Sequence, residues 1–127
     1  MQLSLTLMAW FHPHPLQAQV IPDGTTLTEV GSCGPSCVIQ GGTARGDVLF
    51  HSFEDFNVNQ GQQVRFNNEL AIESIFARVT GGHASHLDGV LGVNGATDLF
   101  LLNPNGILFG PNARLDIGGS LVATTAE

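Results

Sequence analysis

Apolar residues along this chain occur in short runs that turn-forming residues separate. In the clearest unit, the apolar runs Leu99–Leu102 and Ile107–Phe109 flank the sequence Asn103-Pro104-Asn105-Gly106. Asn and Pro suit the first two positions of a tight turn, and Asn and Gly tolerate the backbone conformations that complete it. Both runs are too short for helices, and Pro and Gly punctuate them. The pattern therefore predicts a strand, a tight corner and a second strand.

Similar units continue through the second half of the chain. From Gly81 onward, apolar runs recur at intervals of 6 to 12 residues, and between them lie turn-forming pairs such as Gly81-Gly82 and Asn94-Gly95. The segments Ala77-Arg78-Val79 and Ala113-Arg114-Leu115 resemble each other, and Gly-Gly follows each within four residues. This loose repeat of short strands and turns is typical of an all-β protein.

The first half is less regular, and its strands are predicted at Thr26–Val30, Cys37–Gln40, 46–58 and Gln63–Phe66. In the segment 46–58 apolar side chains fall on both alternating faces, which predicts a strand covered on both sides. The spacing of apolar residues in Leu70–Val79 would also suit an amphipathic helix. That segment is short and has β-branched residues at the decisive positions, so we expect two strands with a bend.

Two all-β architectures compete for this pattern. A sandwich needs hairpins, and Asn94-Gly95 is the one pair that suits a hairpin turn. A parallel β-helix instead joins short strands by corners and stacks apolar side chains between successive coils. Asn suits such corners because it tolerates left-handed backbone and stacks in ladders. Short uncharged runs with Asn and Gly corners favour the β-helix.

Composition narrows the range of partners. The 127 residues suit one domain, and only 12% of them are charged. The four basic residues are scattered arginines, and the net charge is −7. A nucleic-acid partner is therefore not expected, because such proteins carry clustered positive charge.

The N-terminus is typical of an export signal. An apolar core at Leu3–Phe11 is followed by Pro13 and Pro15, and Leu16-Gln17-Ala18 offers a small residue before a cleavage point. The apolar run is too short to span a bilayer, and no Lys or Arg precedes it. We predict a signal peptide at residues 1–18 and a mature domain at residues 19–127.

The chain contains two cysteines, Cys33 and Cys37, with Gly34-Pro35-Ser36 between them. An exported protein meets an oxidising compartment, where a disulfide is the expected state of such a pair. Closing this small loop would stabilise the fold by about 2 kcal/mol. Three intervening residues differ from the two of a thioredoxin-like redox site, and a zinc site needs further ligands nearby.

Candidate catalytic and metal-binding residues do not form a recognisable set. His83 and His86 are three apart, so on a strand they would face opposite sides, and His51 lies in an apolar strand without an evident acid partner. A polysaccharide-active enzyme on a β-helix would need converging carboxylates, but the acidic residues are dispersed. A carbohydrate-binding surface module would need an exposed aromatic platform, which the sequence does not reveal. We predict no catalytic residue, no cofactor and no metal site.

Five ordered blocks of the chain together carry a family resemblance. They are 46–58, Ala77-Arg78-Val79-Thr80-Gly81-Gly82, Leu87-Asp88-Gly89, 98–107 and Leu115-Asp116-Ile117-Gly118-Gly119-Ser120. These blocks resemble the N-terminal secretion domain of filamentous haemagglutinin-like exoproteins, the passengers of bacterial two-partner secretion. The resemblance runs from about Val20 to the last residue, and its most specific signature is Asn103-Pro104-Asn105-Gly106-Ile107.

The resemblance implies a right-handed parallel β-helix with N-terminal capping strands. It implies export by the general machinery, and then binding of the extended chain by the periplasmic polypeptide-transport-associated domains of an outer-membrane β-barrel transporter. The chain would fold outside the cell and be secreted or held at the cell surface, where longer C-terminal regions of such exoproteins contact host or neighbouring cells. This chain stops directly after a strand without a polar cap, which is expected of a split reading frame, of a fragment or of an orphan secretion domain.

Two roles are open for the signature Asn103, Pro104, Asn105, Gly106 and Ile107. It would either form a purely structural corner of the first stable coils or also carry the address that the transporter reads.

Overall fold

The computed structural model describes residues 19–69 and 71–126, and strands joined by tight corners make up most of this part of the chain. The predicted signal peptide at residues 1–18 lies outside the described residues. The strands are β1 Val20–Pro22, β2 Thr28–Val30, β3 Ser36–Gly41, β4 Thr43–Arg45, β5 Val48–Phe56, β6 Gln63–Phe66, β7 Ser74–Val79, β8 Ser85–Leu87, β9 Val90–Val93, β10 Asp98–Leu102, β11 Ile107–Phe109, β12 Arg114–Ile117 and β13 Leu121–Thr124.

The strands form three parallel faces of a solenoid. Face A contains β5, β7, β10 and β13, and face B contains β3, β6, β9 and β12. Face C pairs β8 with β11, and a bridge between Val58 and Leu87 extends it to the first turn. The chain passes from face B to face A to face C in each turn, and crossovers between parallel strands are right-handed in almost all proteins. The predicted parallel β-helix is confirmed.

The core consists of inward side chains that stack on their counterparts one turn away. Each counterpart pairs in register across the parallel ladder, and the stacked residues of the first three turns are almost fully buried. Burying such a side chain contributes about 1.5–3 kcal/mol. The main rows are Leu49, Ile75, Leu99 and Leu121 in face A, and Cys37, Val64, Leu91 and Leu115 in face B.

The N-terminal strands run against this parallel order and cover the first turn. β1 and β4 pair antiparallel with β5, and β2 pairs antiparallel with β3. They satisfy the backbone groups that the first turn would otherwise leave unpaired at its edge. The predicted N-terminal capping strands are confirmed.

Two details of the predicted strands are wrong. In the segment predicted as two strands, the described residues 71–79 contain a single strand, β7. The backbone amides of Glu73 and Ser74 donate to the carbonyl of Asp47, so the chain aligns with β5 only from there. β5 is not covered on both sides along its length. Its outward residue Phe50 is 38% exposed, and Phe76, which pairs with it in the next turn, is 42% exposed.

The apparent sequence repeat does not correspond to the turns of the solenoid. The segment that contains Arg78 lies in face A, whereas the one that contains Arg114 lies in face B. Asn94-Gly95 forms a corner from β9 to β10, which belong to different faces, rather than a hairpin. The true period is about two dozen residues and appears only in the register of the ladders.

Adjacent glycines at the corner after β7 provide a matched test of how closely the turns approach. A Cβ atom at Gly81 would overlap with the backbone carbonyl of Glu54, whereas one at Gly82 would meet nothing within 4 Å. We expect Gly81→Ala to lower the free energy of unfolding by about 2 kcal/mol, because the two turns must move apart. Gly82→Ala should change it by less than about 0.5 kcal/mol. Urea unfolding of both variants measures the difference, and equal effects would contradict this packing.

Candidate functional site: the Asn103–Ile107 corner

The signature residues form the corner that carries the chain from β10 in face A to β11 in face C. Asn103 is completely buried, while Pro104 and Asn105 are exposed. The Asn103 Oδ1 atom accepts a hydrogen bond from the backbone N–H of Asn105 at 2.9 Å, and the Asn103 carbonyl accepts one from Gly106 at 3.0 Å. Gly106 has a φ of +117°, which favours glycine because side chains rarely adopt this conformation.

Asn103 also connects three turns of the solenoid. Its Nδ2 group donates to the carbonyl of His83 and to the Ser85 hydroxyl, both at 3.0 Å, in the preceding turn. Its backbone N–H donates to the carbonyl of Thr124 at 3.0 Å in the following turn. A buried amide needs all these partners, because an unpaired polar group in the core costs about 1–3 kcal/mol. The corner thus depends on contacts that exist only when neighbouring turns are stacked.

The rest of the motif strengthens the same connection. Asn105 Nδ2 donates to the carbonyl of Gly81 at 2.7 Å, and the backbone N–H of Ser85 donates to the carbonyl of Gly106 at 2.9 Å. Ile107 pairs with Ser85 in the ladder and packs against the core. The hydrogen bonds of this corner thus fix the backbone and join neighbouring turns.

The two cysteines of the predicted disulfide lie just before β3 and within it. The structure brings the sulfur atoms of Cys33 and Cys37 within bonding distance, with their Cα atoms 4.5 Å apart. Cys37 is buried in the first inward row of face B, and Cys33 is partly buried against the core. This geometry suits a structural crosslink of the cap, and the pairing in the exported protein stays a prediction.

The histidines occupy separate environments. His51 is buried beside Phe53 and Phe66, its Nδ1 atom lies 2.9 Å from the Thr28 hydroxyl, and burial lowers its pKa to about 4. His83 lies on the surface with Nδ1 3.3 Å from Asp55. His86 is exposed on β8. In residues 19–69 and 71–126, no three His, Cys, Asp or Glu side chains are grouped as metal ligands.

Three carboxylates, Asp88, Asp98 and Asp116, form hydrogen bonds or ion pairs between turns of the solenoid. Asp88 accepts a hydrogen bond from the backbone N–H of Asn112 at 2.8 Å, and Asp98 accepts one from Ser120 at 2.7 Å. Asp116 pairs with Arg65 across Gly92, whose missing side chain leaves room for the guanidinium. These contacts favour a structural role for the acidic residues that a polysaccharide-active enzyme would have used.

Asp23 is a structural anchor that the sequence pattern does not indicate. Its Oδ2 atom accepts hydrogen bonds from Ser52 at 2.6 Å and Thr80 at 2.7 Å, and Thr25 donates to Oδ1. Burial alone would raise the pKa of Asp23, but these hydrogen bonds outweigh it and hold the pKa well below its usual range. The carboxylate thereby ties the N-terminal segment to the first two turns.

A family model of the TPS (two-partner secretion) secretion domain matches residues 18–127, which includes this corner and the capping strands. The chain belongs to the TPS secretion-domain family. The predicted resemblance is therefore confirmed, and the chain is a secretion domain of the kind that two-partner secretion exoproteins carry. Membership in this family implies recognition by an outer-membrane transporter.

The relatives of this TPS domain are parts of much longer proteins. Two heme/hemopexin-binding proteins of Haemophilus influenzae are each 32% identical to it, over 114 and 106 residues, which are 87% and 82% of this chain. The matched regions span only 12% and 10% of those proteins. A crystal structure of the filamentous hemagglutinin secretion domain superposes with a TM-score of 0.59 and 27% identity, over 84% of this chain and 39% of that one.

The TPS domain also exposes aromatic side chains that sequence analysis failed to recognise. Phe50, Phe76 and Phe100 pair in register on the outward side of face A, with Phe50 38% and Phe76 42% exposed. Their spacing along the chain is about one solenoid turn, which is the signal that could have revealed them. The part of this domain that the structure describes contains no helix with the length and hydropathy of a membrane span.

Proposed function

We propose that this TPS domain directs its exoprotein across the outer membrane. After residues 1–18 direct export by the general machinery, the periplasmic polypeptide-transport-associated domains of an outer-membrane β-barrel transporter bind residues 19–127 as an extended chain. The domain then folds outside the cell, and the exoprotein is released or stays at the surface.

The observation that carries this proposal is the complete burial of Asn103 in the folded corner. A partner that reads the whole signature must meet it before the turns stack, because Asn103 then becomes inaccessible. In an extended chain the neighbouring runs Leu99–Leu102 and Ile107–Phe109 are free to add to an exposed strand edge of the transporter by β-augmentation.

The topology of the fold supports an extended periplasmic state. Consecutive strands of face A, such as β5 and β7, are about two dozen residues apart in sequence, and every ladder of the three faces is nonlocal in this way. Such contacts form slowly, because loop closure precedes any gain from packing. Once stacking begins outside the cell, burial of the inward rows opposes return through the transporter.

The pair Cys33 and Cys37 is compatible with the same route. A disulfide between them closes a very short loop, so the chain remains narrow and mostly extended. We propose that it forms in the periplasm and preorganises the cap before folding.

We do not extend the heme/hemopexin binding named for the Haemophilus relatives to residues 19–127. The matched region spans only about a tenth of each relative, so most of each relative lies outside it. We propose that contacts of this exoprotein with a host or neighbouring cell surface lie mainly outside residues 19–127.

Co-expression with the cognate transporter tests the proposal. The chain is expected in the culture medium or on the cell surface when the transporter is present, and in the periplasm when it is absent. Immunoblots of medium, surface and periplasmic fractions measure the distribution. Periplasmic retention despite a functional transporter would overturn the proposed function.

A pair of variants separates recognition of the corner from stability of the fold. Asn103→Ala changes the signature, whereas Gly81→Ala weakens the same region of the fold without altering the signature. If the transporter reads the signature, secretion of Asn103→Ala falls about tenfold below that of Gly81→Ala under conditions that equalise folded stability. Equal secretion would show that the signature acts only through folding.

A further inference from the structure

Two corners of the solenoid contain the dipeptide Asn-Gly, at which intramolecular deamidation of polypeptides is fastest. The pairs are Asn94-Gly95, between β9 and β10, and Asn105-Gly106, between β10 and β11. In this reaction the backbone nitrogen of the second residue attacks the side-chain carbonyl carbon of the asparagine, and glycine hinders the attack least because it has no side chain. In an unfolded chain the two pairs therefore have similar reactivity.

The folded corner at Asn105 holds the reacting groups of its pair in other bonds. Asn105 Nδ2 donates to the carbonyl of Gly81 at 2.7 Å, and the backbone N–H of Gly106 donates to the carbonyl of Asn103 at 3.0 Å. Attack requires the glycine nitrogen to lie close to the side-chain carbon in the right orientation. These hydrogen bonds must therefore open before Asn105 can react.

The corner at Asn94 is held by the turns on both sides of it. Asn94 Nδ2 donates to Asn67 Oδ1 at 2.7 Å and to the carbonyl of Asn68 at 3.3 Å in the preceding turn. In the following turn, Gly118 lies so close that a Cβ atom there would overlap with the carbonyl oxygen of Gly95. Neither the side chain of Asn94 nor the backbone of Gly95 can move freely while the turns are stacked.

The reaction products would affect these two corners unequally. Asn94 Oδ1 is buried and has no hydrogen-bond donor among the described residues, while both partners of its Nδ2 group are acceptors. An aspartate at this position would hold a buried negative charge against acceptor oxygens, with no donor to compensate it. Asn105 is exposed, so water can solvate an aspartate there.

We propose that Asn94 is a deamidation site of the unfolded chain, that folding protects it, and that its conversion prevents the second and third turns from stacking. The nitrogen of Gly95 forms a bond to Cγ of Asn94, the bond from Cγ to Nδ2 breaks, and ammonia leaves with the proton of the glycine nitrogen. Water then opens the cyclic imide at either carbonyl and gives aspartate or isoaspartate. Isoaspartate also lengthens the backbone by one carbon, at a corner where Gly118 leaves no room.

The reaction belongs to the polypeptide itself and requires no transporter. Its consequence in the cell rests on the proposed function, because a chain that is extended in the periplasm lacks the protection of stacked turns. The longer a chain stays extended, the larger the fraction that can no longer fold. The experiments below use the purified 127-residue chain alone, so their failure would leave the proposed secretion function untouched.

Mass spectrometry of the chain, incubated folded in buffer and unfolded in guanidinium chloride at the same mildly alkaline pH, tests the protection. Fragment spectra locate each conversion at Asn94 or Asn105. We expect similar rates at both pairs in the unfolded chain. In the folded chain, Asn94 should convert at least about tenfold more slowly, because reaction there requires local opening. Equal rates at Asn94 in the two states would overturn the proposal.

Refolding of a partly converted sample measures the consequence at each corner. The sample is diluted to the denaturant concentration at which half of the unmodified chains are folded, and a brief pulse of protease removes the unfolded ones. Conversion at Asn94 should lower the ratio of folded to unfolded chains at least about tenfold. Conversion at Asn105 is the matched control and should lower it less. An equal effect at the two sites, or none at Asn94, would contradict the proposed role of Asn94.

The variant Gly95→Asn tests the attacking group. Gly95 has a φ of +73°, which asparagine tolerates, and a Cβ atom there would meet nothing within 4 Å. The added side chain hinders attack on Asn94, so conversion there in the unfolded chain should slow about tenfold while Asn105 converts as before. Circular dichroism establishes that the variant folds, and its ability to refold should decline more slowly during incubation in denaturant. Unchanged conversion at Asn94, or an equally fast loss of refolding, would overturn the proposal.

Discussion

Replacing Asn103 with alanine is expected to lower the free energy of unfolding by about 3 kcal/mol. The variant loses both Nδ2 hydrogen bonds to the preceding turn and the Oδ1 bond that shapes the corner. It also leaves the carbonyl of His83 and the buried Ser85 hydroxyl without their partner. Equilibrium unfolding in urea measures the loss as a lower midpoint with an unchanged slope.

Two further variants identify which part of the Asn103 side chain matters. Asn103→Asp retains an acceptor for the backbone N–H of Asn105 but removes the amide donor, so it should lose most of the same stability. Pro104→Ala changes an exposed residue of the same corner and should alter stability by less than about 1 kcal/mol. If Asn103→Ala were as stable as the unmodified chain, the corner would not depend on these bonds.

Acidification from pH 7 to pH 4 is expected to remove about 3 kcal/mol of folding stability through His51. Burial lowers the pKa of this histidine from its ordinary value of 6.5 to about 4. The unfolded chain therefore binds a proton below pH 6.5, whereas the folded chain excludes it until about pH 4. The folding stability that depends on a neutral His51 is fully present above pH 6.5 and is lost as the pH falls toward 4.

The side chains around His51 offer its proton no compensating charge. The ring contacts Phe53 and Phe66, its Nδ1 atom meets the neutral hydroxyl of Thr28, and its Nε2 atom is buried without a hydrogen-bond partner in the described structure. In the His51→Leu variant, the free energy of unfolding should therefore depend less on pH between pH 4 and pH 7. His86→Gln, at an exposed histidine, is the control and should retain it.

Urea unfolding at a series of pH values measures this effect. A stability that does not fall between pH 7 and pH 4 would show that His51 is hydrated in solution. A fall that persists in His51→Leu would assign the effect to other groups. Asp23 acts in a lower range, because its depressed pKa contributes stability that is lost only as the pH falls below its ordinary value of 3.8.

The short strands and corners could be predicted because they depend on neighbours in sequence. The corner 103–106 follows from turn preferences of Asn, Pro and Gly, and the flanking runs follow from their length and hydropathy. The prediction of two strands in Leu70–Val79 was wrong, because hydrogen bonds to Asp47, more than twenty residues earlier, set the start of β7. No local pattern contains that information.

For the functional residues too, some features follow from the local sequence and others only from the fold. The resemblance identified Asn103 to Ile107, yet only the structure shows that Asn103 binds His83 and Ser85 and is buried. No local pattern marks the exposed side chains Phe50, Phe76 and Phe100, because each is unremarkable in its own segment. They become one surface when the parallel register aligns them.

The sequence by itself determined the class of this protein, the places where its chain turns and the family of secretion domains to which it belongs. These depend on local backbone preferences and on the order of short motifs, which the chain carries whether folded or extended. The tertiary structure decided which turns contact each other, and therefore which polar groups are buried and which aromatic side chains share a surface. The physical reason is that a β-helix is held together by ladders between residues one turn apart, whose register is set by the whole stack.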